Sequence, residues 1–80
     1  MAIQLEILTP SQTLLVGTAD EVVAPSEAGE VTILPQHTEY ISTLGPGRIS
    51  VMSGGSTRDF QITGGLLQMA QDKMTILVDE

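Results

Sequence analysis

The sequence has few of the residues on which catalysis, metal binding and covalent cross-linking usually depend. Cysteine is absent from its 80 residues, which excludes disulfide bridges and thiolate–zinc sites. Tryptophan is absent as well, and Tyr40 and Phe60 are the only aromatic residues. We therefore expect one small domain, residues 1–80, whose core consists of isoleucine, leucine, valine and methionine.

Positive charge is also scarce. Three Lys and Arg residues stand against ten Asp and Glu residues, which gives a net charge of −7. Such a surface repels phosphate backbones and anionic lipid headgroups, so we expect neither nucleic-acid binding nor direct bilayer insertion. No apolar run approaches the ~20 residues of a membrane-spanning helix, and no secretory signal is visible. A bacterial cytoplasmic location is the expectation.

Apolar and polar residues alternate with a period of two along most of the chain, which predicts half-buried β-strands. The alternating apolar positions are Ile3, Leu5 and Ile7; Val31 and Ile33; Ile49 and Val51; Phe60 and Ile62; Met74, Ile76 and Val78. Turn-forming residues separate these runs at short intervals, and Pro10 ends the first of them. Short strands at this spacing indicate an all-β sandwich or barrel.

One segment also fits a helix. Leu66 to Met74 is rich in helix-forming residues, and its apolar residues lie near helical spacing. A fold with one helix therefore competes on pattern alone. We favour a strand, because Gly64 and Gly65 offer no capping side chain and the segment leads directly into the next alternating run. These two glycines also fit a bulge or a close approach of another backbone.

The chain offers little for enzyme chemistry. His37 is the only histidine, so any Ser-His-Asp arrangement must centre on it, and no Gly-x-Ser-x-Gly motif is present. The carboxylates of Glu27 and Glu30 lie in a segment predicted to be an exposed loop, which gives them no environment suited to acid–base catalysis. We expect no catalytic residue, no cofactor and no metal site.

The segment from Glu27 to His37 is the most informative for function. It combines a turn carrying two acids, a short apolar strand, and then a proline and a histidine. One interpretation is an ordinary hairpin and loop, in which His37 hydrogen-bonds to backbone. The other is an interaction loop, because binding residues tend to lie on loops held by a rigid scaffold.

Several motifs occur in an order that resembles the epsilon subunit of F-type ATP synthases. They are Leu15-Val16-Gly17, Val22-Val23-Ala24-Pro25, the run from Gly29 to His37, Gly45-Pro46-Gly47, Thr63-Gly64-Gly65-Leu66-Leu67 and the run from Met74 to Asp79. Each motif is weak alone, but their order and spacing extend along essentially the whole chain. The resemblance implies an all-β fold, a flattened sandwich of two five-stranded, mainly antiparallel sheets. It also favours strand and loop for Leu66 to Met74.

The resemblance further implies a role without catalysis. An epsilon subunit belongs to the central stalk, the rotor of a proton- or sodium-translocating ATP synthase, and couples the gamma subunit to the polar loops of the c-ring. Such a subunit is a peripheral component on the cytoplasmic face of the bacterial plasma membrane. A stiff β-sandwich with two interfaces suits the transmission of torque.

The resemblance also assigns residues to these two interfaces. The loop expected to face the c-ring contains Glu27, Gly29, Glu30 and Val31. An acid in that loop suits the basic residues of c-ring loops, because opposite charges at an interface fix its register. Positions matching Thr9, His37 and Ser42 are expected to face gamma.

Some features depart from the family pattern. Thr32 stands where glycine is usual, and Gln36 and Glu39 stand in place of a glycine and a proline, which changes the backbone angles open to the loop facing gamma. Many epsilon subunits also continue into a helical hairpin that inhibits ATP hydrolysis and in some cases binds ATP. The sequence given stops where that hairpin would begin, so inhibition is not expected of these residues.

Two other hypotheses compete with the rotor subunit. One is a free-standing acidic β-sandwich that binds a basic protein through the loop from Glu27 to Glu39. The other is a small enzyme that uses His37 with an Asp or Glu, which replacement of the single histidine would test.

Overall fold

Nine β-strands make up the regular structure in the computed structural model, which describes residues 2–35 and 39–79. The strands are β1 (Ile3–Leu8), β2 (Thr13–Ala19), β3 (Glu21–Ser26), β4 (Gly29–Ile33), β5 (Tyr40–Leu44), β6 (Gly47–Ser53), β7 (Ser56–Ile62), β8 (Gly65–Ala70) and β9 (Lys73–Val78). No helix occurs within the described residues. The predicted all-β fold is confirmed.

The strands form two layers of unequal size. One layer has the order β2-β1-β9-β8-β5, and the other has the order β4-β3-β6-β7. All pairs are antiparallel except β1 with β9. The layers meet where β3 pairs with β5 at the single register position Ser26–Leu44.

The prediction of a sandwich is confirmed, but the strand count differs slightly from two sheets of five. Within residues 2–35 and 39–79, one layer has five strands and the other has four. Leu34, Pro35 and Glu39, which follow β4 and precede β5, belong to no strand. Proline lacks the backbone N–H that a continued ladder needs.

The core lies between the two layers and is aliphatic, as predicted. Its buried members are Ile3, Leu5, Ile7, Ala19, Val22, Ala24, Ile33, Leu44, Ile49, Val51, Ile62, Leu67, Met69, Met74, Ile76 and Val78. Tyr40 and Phe60 pack at its margin and are only partly buried. No polar or charged side chain is buried among the described residues.

The segment that also fitted a helix forms two strands and a tight turn. Gln71 and Asp72 connect β8 to β9 with φ angles of 52° and 58°. Leu67 and Met69 point into the core, whereas Leu66 is 38% exposed. Burial therefore alternates with a period of two, but the sequence does not show this because the outward residue Leu66 is also apolar. The prediction of strand over helix is confirmed.

Gly65 marks the close approach of another backbone. A methyl group added at Gly65 would collide with the carbonyl oxygen of Leu77 and lie 3.1 Å from Cα of Val78. Both obstacles are backbone atoms of β9, the strand that pairs with β8. The first position of β8 therefore admits only glycine without moving the sheet.

Candidate protein-interaction surfaces

One outward face of the five-stranded layer exposes large aliphatic side chains. Leu77 of β9 pairs with Leu8 of β1 on one side and with Leu66 of β8 on the other, so the three lie in one row. Leu66 is 38% exposed and Leu77 is 47% exposed. Ile41 lies on the same side of neighbouring β5 and is 68% exposed. Leu8, Ile41, Leu66 and Leu77 are called the outer apolar face below.

The residues predicted to face gamma do not all lie on the outer apolar face. Ser42 lies in β5, but it alternates with Ile41 and Thr43 and is paired with buried Leu67, so its half-buried side chain is on the inward side. The exposed residues of this part of β5 are Ile41 and Thr43. His37 lies outside the described residues.

Thr9 is held in a compact loop between β1 and β2. Its hydroxyl accepts hydrogen bonds from the backbone N–H groups of Ser11 and Gln12, at 3.3 and 3.1 Å. The hydroxyl also lies 3.3 Å from the carbonyl oxygen of Gln12, as a donor, and the Thr9 N–H donates to the same oxygen at 2.8 Å. These hydrogen bonds of the Thr9 side chain to its own loop fix the conformation of the loop. The fixed φ angle of the neighbouring Pro10 restricts the loop further.

The predicted loop facing the c-ring is the turn from β3 to β4 and the start of β4. Gly29 has φ of +131°, a backbone conformation that residues with a side chain rarely adopt. Glu30 is exposed and pairs with Pro25, and Val31 is half-buried and packs against the core. The structure thus brings Gly29, Glu30 and Val31 together on one hairpin, with Glu30 as their exposed charge.

Glu27 differs from Glu30 in being bonded to another strand. Thr43 donates a hydrogen bond from its hydroxyl to a carboxylate oxygen of Glu27, at 2.5 Å. The Glu27 N–H donates to the Thr43 carbonyl at 3.1 Å, and the Gly45 N–H donates to the Pro25 carbonyl at 2.8 Å. Together with the Ser26–Leu44 pairing, these bonds form a seam between the two layers.

Glu30 has no hydrogen bond or ion pair with any described residue. It lies on the outward face of the four-stranded layer, in a shallow depression that Arg48 also lines. Arg48 forms an ion pair with Asp59, with 3.8 Å between Nη1 and Oδ2. Both side chains are about half exposed or more, so this ion pair contributes little to stability. The Glu30 carboxylate therefore has no partner among the described residues, whereas one oxygen of the Glu27 carboxylate accepts a hydrogen bond from Thr43.

A groove occupies the end of the sandwich at which β1, β5 and β9 finish. Its volume is about 680 Å³, and it is open to solvent. Thr9 and Glu27 both line it, although they were predicted to face different partners. Leu66 and Leu77 of the outer apolar face line it as well. The structure therefore brings one residue predicted to face gamma and one predicted to face the c-ring to the same groove.

No arrangement suited to catalysis or metal binding was found in the part of the chain that the structure describes. No group of three or more His, Asp or Glu residues lies close enough there to hold a metal ion. No described residue belongs to a helix that is long and apolar enough to cross a membrane. The features that stand out are exposed apolar and acidic surfaces on a rigid β-sandwich, which are typical of a protein-binding domain.

Comparison with known proteins gives the family of this domain. The family described as ATP synthase, Delta/Epsilon chain, beta-sandwich domain matches residues 2–80. The chain belongs to that family. The resemblance noted in the sequence is thereby confirmed, as is the prediction of a non-catalytic, epsilon-type domain.

Curated relatives agree with this assignment. The ATP synthase epsilon chain of Thioalkalivibrio sulfidiphilus is 41% identical over 81 residues, which cover 99% of this chain and 57% of that one. The ATP synthase epsilon chain of an Anaeromyxobacter species is 39% identical over 79 residues, covering 99% of this chain and 60% of that one. The chain thus spans less than two thirds of the length of these relatives.

Solved structures share the fold. A chain in the cryo-EM structure of Euglena gracilis mitochondrial ATP synthase superposes with a TM-score of 0.90 at 21% identity, covering 96% of this chain and 50% of that one. A chain from the central stalk and c-ring of the Tetrahymena thermophila mitochondrial enzyme gives a TM-score of 0.80 at 18% identity, covering 100% and 65%. At these identities the likeness shows the fold alone.

Sequence reasoning missed the outer apolar face and the groove. Leu66 and Leu77 follow or precede inward-pointing residues, and only the strand register shows that they are neighbours. A usable indication was present nonetheless, since the pairs Leu66-Leu67 and Ile76-Leu77 are apolar at successive positions, which is typical of strands covered on both faces.

Proposed function

We propose that this domain is the part of an ATP synthase rotor that joins the gamma subunit to the c-ring. Family membership supports a place in the enzyme complex, and the exposed surfaces of the sandwich support two separate contacts. The domain would act at the cytoplasmic face of a bacterial plasma membrane as a peripheral component of an enzyme that moves protons or sodium ions.

The outer apolar face is the proposed contact with gamma. Ile41, Leu66 and Leu77 expose aliphatic surface on three neighbouring strands, with Leu66 directly beside Leu77 and diagonal to Ile41. Exposed apolar patches of this kind often mark a protein interface. Thr9 lies at one end of this face, in the groove that Leu77 also lines. Ser42 lies in β5, the strand that forms part of this contact, but its own side chain points inward. The neighbouring Ile41 places its side chain on the surface that gamma would cover.

The hairpin of Gly29, Glu30 and Val31 is the proposed contact with the c-ring. Glu30 is its exposed acid and has no partner among the described residues, so it is free to meet a basic residue of a c-ring loop. Gly29 gives the hairpin its sharp start. Glu27 contributes to this contact indirectly, because its bond to Thr43 holds the turn against β5.

The single observation that carries the proposal is the spatial separation of these two surfaces on one stiff body. The outer apolar face belongs to the five-stranded layer, and Glu30 belongs to the outward face of the four-stranded layer. A packed sandwich between two contacts resists shear, because its interior is close-packed.

Capture of gamma by immobilised domain tests the proposed contact. We expect stoichiometric capture of gamma from the source organism, with lysozyme as a control for nonspecific binding of basic protein. Ile41→Ser should weaken capture at least tenfold, an estimate from the loss of a buried aliphatic side chain. The matched control is Val16→Ser, at an equally exposed valine of β2, which lies on the same outward side of the five-stranded layer but at the opposite edge from β5.

The outcomes separate the hypotheses. Weakening by Ile41→Ser but not by Val16→Ser supports docking on the outer apolar face. Equal effects of the two substitutions would contradict that placement. If the folded wild-type domain captures no gamma, the rotor proposal fails and a free-standing acidic binding module becomes the better hypothesis.

A further inference from the structure

The groove at the end of the sandwich has walls of mixed character. Pro10, Leu44, Pro46 and Leu77 supply apolar surface around its volume of about 680 Å³. These residues come from different loops and strand ends, so the groove depends on the complete fold. A concave, mostly apolar groove with a few polar groups is the usual form of a binding site.

The charge around the groove has one sign. Glu27 and Asp79 line it, and no Lys or Arg does. A methyl group added at Gly64 would lie 2.9 Å from Oδ2 of Asp79, and one added at Gly45 would lie 3.9 Å from Cγ of Glu27. The Asp79 carboxylate therefore needs the absence of a side chain at Gly64, whereas Gly45 is only in ordinary van der Waals range of Glu27.

The groove also continues the outer apolar face. Leu66 and Leu77 belong to both, and Thr43, paired with Leu66 in the same row, lines the groove beside Glu27. A partner that covers Ile41 and Leu77 would thus extend to the mouth of the groove. Because the groove continues the surface proposed to contact gamma, gamma is the partner that would reach it. Because the groove is lined by acidic side chains, the segment of gamma that enters it should be basic.

We propose that this groove receives a lysine or arginine side chain from gamma, an inference that rests on the proposed docking of gamma on the outer apolar face. The aliphatic stem of such a side chain would pack against Leu77 and Pro46, and its charged end would meet the carboxylates of Asp79 and Glu27. The groove is thereby a specificity site, which fixes where gamma seats on the sheet.

The test measures the affinity of gamma for four forms of the domain by isothermal titration calorimetry, at low and at high salt. The forms are wild type, Asp79→Asn, Glu27→Gln, and Asp59→Asn as the control. Each substitution removes one negative charge with little change of shape, but Asp59 lies in β7, outside the groove and outside both proposed contacts. The melting temperature of each form checks that it is folded.

We expect Asp79→Asn and Glu27→Gln each to weaken binding about tenfold at low salt, with a smaller effect at high salt, and Asp59→Asn to bind like wild type. Unchanged affinity of Asp79→Asn and Glu27→Gln would overturn the groove proposal while leaving gamma docking intact. Equal weakening by all three substitutions would also overturn it, because the effect would then reflect total charge. Absence of wild-type binding would overturn both proposals.

Discussion

Thr43 donates a hydrogen bond from Oγ1 to a carboxylate oxygen of Glu27, with 2.5 Å between the two oxygens. The two residues are 16 positions apart in the chain and belong to different layers of the sandwich. Backbone hydrogen bonds from Glu27 to Thr43 and from Gly45 to Pro25 lie beside this contact. The acidic turn next to β4 is thus tied directly to the strand that exposes Ile41.

This bond predicts measurable coupling between Thr43 and Glu27. Thr43→Val removes the donor but keeps the shape of the side chain, and should lower the free energy of unfolding by about 1 kcal/mol, because both groups are exposed. A double-mutant cycle of Thr43→Val with Glu27→Ala, followed by urea denaturation, should give a coupling energy above about 0.5 kcal/mol. Strictly additive effects would show that the bond contributes nothing to stability.

Ile33→Asp should unfold or severely destabilise the domain. Ile33 is fully buried, and a carboxylate there has no partner, which should cost about 3 kcal/mol or more. Thermal denaturation should show a drop of more than about 10 °C. Thr32→Asp at the adjacent exposed position serves as the control and should change the melting temperature only slightly. A wild-type melting temperature for Ile33→Asp would mean that the inward face of β4 is misassigned.

Gly65→Ala and Gly17→Ala form a matched pair within the same layer. The methyl group at Gly65 meets backbone atoms of β9, whereas the methyl group at Gly17 has nothing within 4 Å. We expect Gly65→Ala to destabilise the domain by about 2–3 kcal/mol. Gly17→Ala should be neutral or slightly stabilising, since it reduces the entropy of the unfolded chain. Equal melting temperatures for the two variants would contradict the close approach of β8 and β9.

Glu30→Lys should weaken attachment of the domain to the c-ring without affecting its fold. Glu30 is exposed and makes no bond to a described residue, so reversal of its charge should change the interface alone. Cosedimentation with c-ring in detergent measures the effect, and the melting temperature serves as the control for folding. An unfolded Glu30→Lys domain would show that the hairpin has been placed wrongly.

Much of the fold was predictable because apolar and polar residues alternate with a period of two along most of the sequence. Ile3, Leu5 and Ile7 alternate with polar residues, and all three are buried in β1. The strand character of Leu66 to Ala70 was harder to recognise, since Leu66 faces outward and disrupts the alternation. Side chains that serve a surface contact obscure the pattern that the core alone would impose.

The candidate surfaces were less predictable than the fold, because they depend on register between distant strands. Thr9 and Glu27 were assigned to different partners, yet they line one groove. Thr43 was not singled out at all, although it makes the shortest link between the layers. Neither relationship follows from local sequence, since each joins segments that only the folded sheet brings together.

The central claim is that this domain connects gamma to the c-ring, and a three-component assembly tests it most directly. Tagged domain, gamma and detergent-solubilised c-ring would be mixed and separated by size-exclusion chromatography, with and without Glu30→Lys. We expect one complex that contains all three components for wild type, and a complex of domain and gamma alone for Glu30→Lys. Elution of the folded wild-type domain apart from both gamma and the c-ring would contradict the account.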